Sequence, residues 1–145
     1  MALIATPVFP QSLGLGLQNF KPADTSTLKL IVTGATNGTK VVSLTATSTE
    51  TANARVAQIW VTRAGVNYLI SSVNIPVNAG FDGTTAVVDL FNITQTVGLP
   101  AAAGTTAFDG QTYLTLQASD LLQVSLTTTL AANKEIDVTA VFWNY

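Results

Sequence analysis

The residues that decide the fold are Leu121-Leu-Gln-Val-Ser-Leu126 and Ile136-Asp-Val-Thr-Ala-Val-Phe142. In both stretches apolar and polar side chains alternate with a period of two, which is the pattern of a strand with one buried face. Residues 28–33, 42–47 and 54–63 alternate in the same way. Short strands separated by turn residues predict an all-β protein, an antiparallel β-sandwich of about eight strands, jelly-roll-like or Ig-like.

Several dipeptides containing glycine mark the turns between these strands: Asn37-Gly38, Ala64-Gly65, Asp82-Gly83 and Asp109-Gly110. The first predicts a type I′ hairpin, because Asn-Gly accepts the positive φ angles that this turn requires. Pro76 places a strand around 73–77 at a sheet edge, since proline cannot donate to a ladder. Asp89 is a candidate N-cap and predicts a short helix over 89–97.

Residues 1–24 differ from the rest of the chain, which forms the sandwich domain over 25–145. They carry three prolines and the apolar run Leu13-Gly-Leu-Gly-Leu17, and no period persists. We therefore expect an extended N-terminal arm without a regular element. Such an apolar arm either covers its own sheet or contacts a neighbouring subunit. The predicted contact residues are Pro7, Phe9, Pro10, Leu13, Leu15, Leu17 and Phe20.

Composition excludes several classes of function. The chain has 145 residues, of which 10% are charged, a net charge of −2, and no His or Cys. The absence of His and Cys rules out Ser-His-Asp and Cys-His catalysis and His or Cys metal sites. Six Lys and Arg residues are too few for the basic face of a nucleic-acid binder. No apolar run is long enough for a transmembrane helix, and we expect no membrane partner.

Carboxylates are the remaining route to catalysis, and their spacing does not propose a pair. Asp82 and Asp109 precede glycines in turns, and Asp120 also falls in a turn. A glycosidase needs two carboxyl groups that face one cleft, and a calcium site needs clustered oxygen ligands. We predict that the protein is not an enzyme and holds no metal or cofactor.

Two interpretations are open for each of four aromatic residues, Trp60, Tyr68, Trp143 and Tyr145. Trp60 and Tyr68 are expected to pack in the core or on a sheet face, or else to stack against a sugar. By strand alternation Phe142 points inward and Trp143 outward. Trp143 and Tyr145 are then covered by their own chain, or they form a C-terminal interface, where Trp and Tyr are enriched.

The segment from Tyr113 to Leu126, followed by 134–145, resembles the closing hairpin of small β-sandwich structural virion proteins of tailed bacteriophages. The shared pattern is a Leu-rich strand, a turn ending in Asp, a Leu-x-Val-Ser-Leu strand and a last strand that ends at Tyr. Gly34-Ala-Thr-Asn-Gly-Thr39 resembles their first turn. The chain departs from this pattern at two places. Ser119 stands where these proteins usually have Gly before the Asp, and the ending Phe-Trp-Asn-Tyr replaces their more frequent Gly-Gly-Asp-Tyr.

The resemblance implies a capsid decoration or cement protein that binds the outside of a phage head and stabilises contacts between major capsid subunits. It implies the major capsid protein as a partner, a homo-oligomer (dimer or trimer), and a virion location after synthesis in the host cytoplasm. The alternatives are a tail, neck or fibre-associated virion protein, or a carbohydrate-binding sandwich. A carbohydrate-binding protein would use Trp60, Tyr68 or Trp143 for stacking.

Overall fold

A computed structural model describes residues 9–91 and 113–145 of the chain. The described part consists of strands and one short 3-10 turn at Pro22–Asp24. The strands are β1 (Ser12–Phe20), β2 (Lys29–Thr33), β3 (Thr39–Ser48), β4 (Arg55–Arg63), β5 (Val66–Ile75), β6 (Val88–Asp89), β7 (Leu114–Leu116), β8 (Leu121–Leu126) and β9 (Ile136–Asn144). No helix among these residues has the length and apolar character needed to cross a membrane.

The strands form two antiparallel sheets. The first, sheet A, is five-stranded with the order β1-β9-β3-β6, and β7 also pairs with β3. The second, sheet B, is four-stranded with the order β2-β8-β4-β5. The all-β antiparallel sandwich expected from the sequence is confirmed, with nine strands in the described ranges rather than about eight.

The core lies between the inner faces of the two sheets, and the period-two patterns identify it. On β8 the inward side chains are at most 1% exposed; they are Leu122, Val124 and Leu126. Opposite them, β9 turns Ile136, Val138 and Ala140 inward, all fully buried. Phe142 is partly buried against this core, and Trp143 points outward, as the alternation predicted.

Two hairpin predictions are wrong, because the strands they join lie in different sheets. At Asn37-Gly38 the chain crosses from β2 in sheet B to β3 in sheet A, and Gly38 rather than Asn37 has a positive φ. Likewise β8 and β9 do not form a closing hairpin, since they too belong to opposite sheets. The Ala64-Gly65 turn does close a hairpin between β4 and β5, and both of its residues have positive φ.

Other local predictions are adjusted by the structure. The strand predicted around 73–77 is the end of the long β5, which reaches Ile75 just before Pro76. Of the helix predicted over 89–97, only 89–91 are described: Asp89 ends β6, and its Oδ1 accepts a hydrogen bond from Phe91 N at 2.9 Å in the turn that follows. The remainder of that predicted helix and the turn predicted at Asp109-Gly110 lie outside the described residues.

The prediction that residues 1–24 contain no regular element is wrong. Residues 12–20 form β1, which pairs with β9 in an unbroken antiparallel register from Ser12↔Asn144 to Phe20↔Ile136. Pro10 and Pro22 lie just outside the ends of this strand, so they bound it rather than interrupt it. β1 is the edge strand of sheet A, the position where a strand needs only one partner.

Candidate functional site

The alternation of β1 is reversed relative to an ordinary strand, with glycines inside and leucines outside. A Cβ atom on Gly16 would lie 3.1 Å from Ile31 Cγ2 and closer still to the Ile31 carbonyl oxygen. Only glycine allows β1 to approach the backbone of β2 so closely. Gln18 Nε2 also donates to Leu30 O at 2.8 Å. The inner side of β1 therefore packs against β2 of its own chain.

The outer side of β1 carries three exposed leucines in a row. Leu13, Leu15 and Leu17 are exposed to 60%, 60% and 62%. Their neighbours on β9 in register are Trp143, Val141 and Thr139. Trp143 is 38% exposed and Val141 is half-buried. We refer to Leu13, Leu15, Leu17, Val141 and Trp143 together as the leucine face.

Charged residues bound the leucine face at its two ends. At one end Lys40 of β3 lies beside Trp143, and its Nζ is 4.2 Å from the centre of the Tyr113 ring. At the other end Asn19 Nδ2 donates to Asp137 Oδ1 of β9 at 2.7 Å and to Glu135 Oε2 at 3.0 Å, so two carboxylates lie there. Between these ends β3 contributes Ser43 and Thr45, in register with Val141 and Thr139, and the half-buried Val42 lies at the bulge beside Ser43. The face thus has an uncharged centre and oppositely charged ends.

An open depression lies on this side of the sheet, at the Asp137 end. Its volume is about 560 Å³, and its lining includes Leu17, Asn19, Thr47, Asp137 and Thr139. The most prominent aromatic of the leucine face, Trp143, lies at the opposite end of β9. The surface therefore has a partly exposed indole ring at one end and an open depression at the other.

The predicted contact residues are separated by the structure. Phe9 is 73% exposed and Pro10 is exposed, both ahead of β1. Phe20 is fully buried and packs in the core, so its prediction as a contact residue is wrong. Tyr145 is half-buried, and its backbone N donates to Gly38 O at 3.1 Å. Pro7 lies outside the described residues.

The other two aromatics do not form a joint platform. Trp60 is half-buried on the outer side of sheet B, and its indole N–H donates to Ser125 Oγ at 3.0 Å. Tyr68 is 52% exposed near the tip of the β4–β5 hairpin. Because Tyr68 pairs with Val61 and Trp60 pairs with Leu69, the two rings point to opposite sides of the sheet. A sugar could therefore not stack on both.

The buried carboxylates are held in structural contacts. Glu50 is 1% exposed, and its Oε1 accepts hydrogen bonds from Arg55 Nη2 and Ala131 N, both at 2.7 Å. Burial raises the pKa of Glu50, but these hydrogen bonds and the charge of Arg55 outweigh it, so the net pKa is lowered. A carboxylate held ionised by such partners is a poor general acid.

The remaining perturbed acids lie in turns. The Arg63 guanidinium lowers the pKa of Asp120, which also accepts a hydrogen bond from Gln117 N at 2.8 Å. Backbone N–H groups of Thr85 and Thr84 lower the pKa of Asp82 to about 2. Residues 9–91 and 113–145 contain no group of three or more His, Cys, Asp or Glu that could hold a metal ion. The chemistry available at the leucine face is non-covalent contact with another protein surface.

Part of this site was missed in the sequence. Val141, Lys40, Asp137 and the residues of the depression other than Leu17 were not predicted, because they join the leucines only through the pairing of β9 with β1 and β3. The alternation Leu-Gly-Leu-Gly-Leu was the available signal for β1. It would have been recognised if glycine had been counted as an inward residue where two backbones approach closely.

No family model matches the chain, and no curated protein matches it. Among solved structures, the chain is similar to one described as "Cyanophage Pam1 capsid asymmetric unit". The two are 13% identical over 99% of this chain and 94% of that chain, with a TM-score of 0.47.

Proposed function

We propose that the protein is a structural component of a tailed-phage virion, a decoration or cement protein on the outside of the capsid. The observation that carries the proposal is the exposed apolar surface of β1 and the segment before it, which comprises the leucine face and Phe9. Three leucines and a tryptophan on a rigid sheet are left to solvent in the single chain. An apolar patch of this kind marks a protein contact surface. The resemblance of residues 113–126 and 134–145 to phage sandwich proteins supports the virion as the setting.

In this proposal the segment ahead of β1 contacts a major capsid subunit. Phe9 is the most exposed large apolar side chain of the described residues, and Pro10 beside it is also exposed. Full burial of Phe9 would contribute about 1.5–3 kcal/mol, which is roughly a tenfold to hundredfold effect on affinity. Many copies on a symmetric shell would multiply such contacts through avidity.

The test measures particle association. Phage particles would be purified, and the copy number of this protein would be measured by quantitative mass spectrometry against the major capsid protein. A decoration protein is expected in hundreds of copies, whereas a tail or neck protein would be present in far fewer. Complete absence from particles would contradict the proposal, and binding in a glycan screen would favour a carbohydrate-binding role instead.

The contact segment has a matched pair of variants. Phe9→Ser should weaken sedimentation with capsids that lack the protein by tenfold or more. Phe81→Ser removes a similarly exposed phenylalanine, 63% against 73%, from a loop elsewhere, and should have no effect. If both variants bind capsids as tightly as the parent chain, Phe9 is not part of the capsid contact.

A further inference from the structure

We propose that the leucine face binds the same face of a second copy of this chain, with the strands of the two copies antiparallel about a two-fold axis. The inference concerns a different surface from the Phe9 segment, and it does not depend on a virion location. A two-fold contact is self-complementary, so each side chain must find its partner on an identical face. The leucine face can be examined for this property.

The apolar centre meets the first requirement. Leu15 and Leu17 flank Gly16, which pairs with Ala140, so an axis at this level places Leu15 of each copy on Leu17 of the other. β1 contains no charged residue from Ser12 to Phe20. The neighbouring positions on β9 and β3 hold Val141, Thr139 and hydroxyl side chains. Two such faces can therefore approach without burying an unpaired charge.

The charged ends select the direction of the second copy. Trp143, which lies beside Lys40, is six positions along β9 from Asp137. At 3.3 Å per residue, the two ends are about 20 Å apart. An axis perpendicular to the strands brings Lys40 of each copy to the Asp137 end of the other. An axis parallel to the strands would place like charges together. Opposite charges at the two ends thus favour the antiparallel arrangement.

The shape of the surface agrees with the same axis. If the axis passes near Ala140, residue 143 of one copy faces residue 137 of the other. Trp143 would then enter the depression that Leu17, Asn19, Thr47 and Asp137 line. There the indole N–H would meet the carboxylate of Asp137 as an acceptor, and the ring would contact Leu17. An aromatic anchor seated in a pocket is the usual centre of a stable interface.

The first experiment is sedimentation equilibrium of the full chain over a range of concentrations. The parent protein should form a dimer, and Leu15→Glu should raise the dissociation constant at least a hundredfold, because each copy would bury an unpaired carboxylate against Leu17 of the other. Leu69→Glu is the matched control, since Leu69 is 47% exposed on sheet B. It should leave the dimer intact, and thermal melting should show that both variants fold.

The second experiment tests the antiparallel geometry. Lys40→Asp and Asp137→Lys should each weaken the dimer about tenfold, because each creates two like-charge contacts. An equimolar mixture of the two variants should form a heterodimer close to parent affinity, since every end contact then joins opposite charges. A mixture that associates no better than the single variants would overturn the antiparallel axis.

Other outcomes also decide the matter. A monomer at all concentrations, a trimer mass, or equal loss with Leu69→Glu would overturn the inference. If the parent is monomeric and Leu15→Glu abolishes capsid binding, the face belongs to a capsid subunit. A dimer that never associates with particles would leave this inference standing while the proposed function failed.

Discussion

Gly16 is the position where the packing of β1 on β2 can be tested most directly. An alanine Cβ there would lie 3.1 Å from Ile31 Cγ2 and within the contact distance of the Ile31 carbonyl oxygen. The obstructing oxygen belongs to the backbone, so it cannot move away as a side chain could. β1 and β2 would have to separate by several tenths of an ångström. Replacing glycine by alanine in an exposed strand normally raises the free energy of unfolding. Gly16→Ala should instead lower it.

The magnitude follows from the cost of overpacking, which is about 1–3 kcal/mol. The gain of about 0.5–1 kcal/mol from a less flexible unfolded chain offsets part of it. A net loss of about 1–2 kcal/mol corresponds to a fall in Tm of roughly 3–10 °C for a domain of this size. Scanning calorimetry of the parent and Gly16→Ala proteins measures this difference, at a concentration where both have the same oligomeric state.

Leu15→Ala is the control for Gly16→Ala. It changes the neighbouring residue of the same strand, but on the outer side, where the side chain is 60% exposed. In the monomer it should change Tm by less than about 2 °C, because surface substitutions cost little. If Gly16→Ala melts at or above the parent temperature, β1 does not lie against β2, and the assignment of the leucines to the outer side is wrong.

Three further predictions concern the turns and buried charges. Ser119 has a φ of 65°, so Ser119→Gly should relieve left-handed strain and add about 0.5–1 kcal/mol in urea unfolding, whereas Ser43→Gly within β3 should destabilise. Arg63→Ala leaves the buried Asp120 without its guanidinium partner and should lower the urea midpoint; an unchanged midpoint would show that water replaces Arg63 as the partner. The pKa values of Glu50 and Asp120 are lowered by folding, so the stability they add is present above their unfolded pKa, about 4, and is lost as pH falls through the folded pKa. The urea midpoint should therefore be flat from about pH 7 to 5 and fall below about pH 4, with a smaller fall in Asp120→Asn.

The fold class could be predicted because burial on one side imposes a period of two that is visible in each strand alone. β8 and β9 show this pattern in their own residues, whatever their partners. The assignment of strands to sheets could not be predicted in the same way. Asn37-Gly38 is a strong local signal for a hairpin, yet here it joins β2 to β3 across the sandwich. A turn sequence fixes the local backbone, while the sheet that each strand enters is decided by packing.

The candidate site was only partly visible for a related physical reason. The sequence context alone named four candidate contact residues of this face, Leu13, Leu15, Leu17 and Trp143. That Leu13 lies beside Trp143 depends on pairing between distant strands, which no local pattern encodes. Phe20 was misplaced because an aromatic at the end of an apolar run looks the same whether it packs inward or outward. Its position in the register, opposite Ile136, decides the matter.

The pairing of β1 with β9 has a consequence for how the chain folds. β2 to β8 all lie between these two strands in the sequence, so β1 cannot enter its sheet until β9 is available. Closing so long a loop is slow, and topologies dominated by distant contacts fold on the slow end of the range for small domains. During synthesis β1 is made before β9 and stays unpaired, with its leucines exposed, until β9 is available. An unpaired apolar strand is prone to associate with other chains. Refolding of the parent protein should therefore show a late phase in which β1 docks, and that phase should be slower than formation of the β4–β5 hairpin.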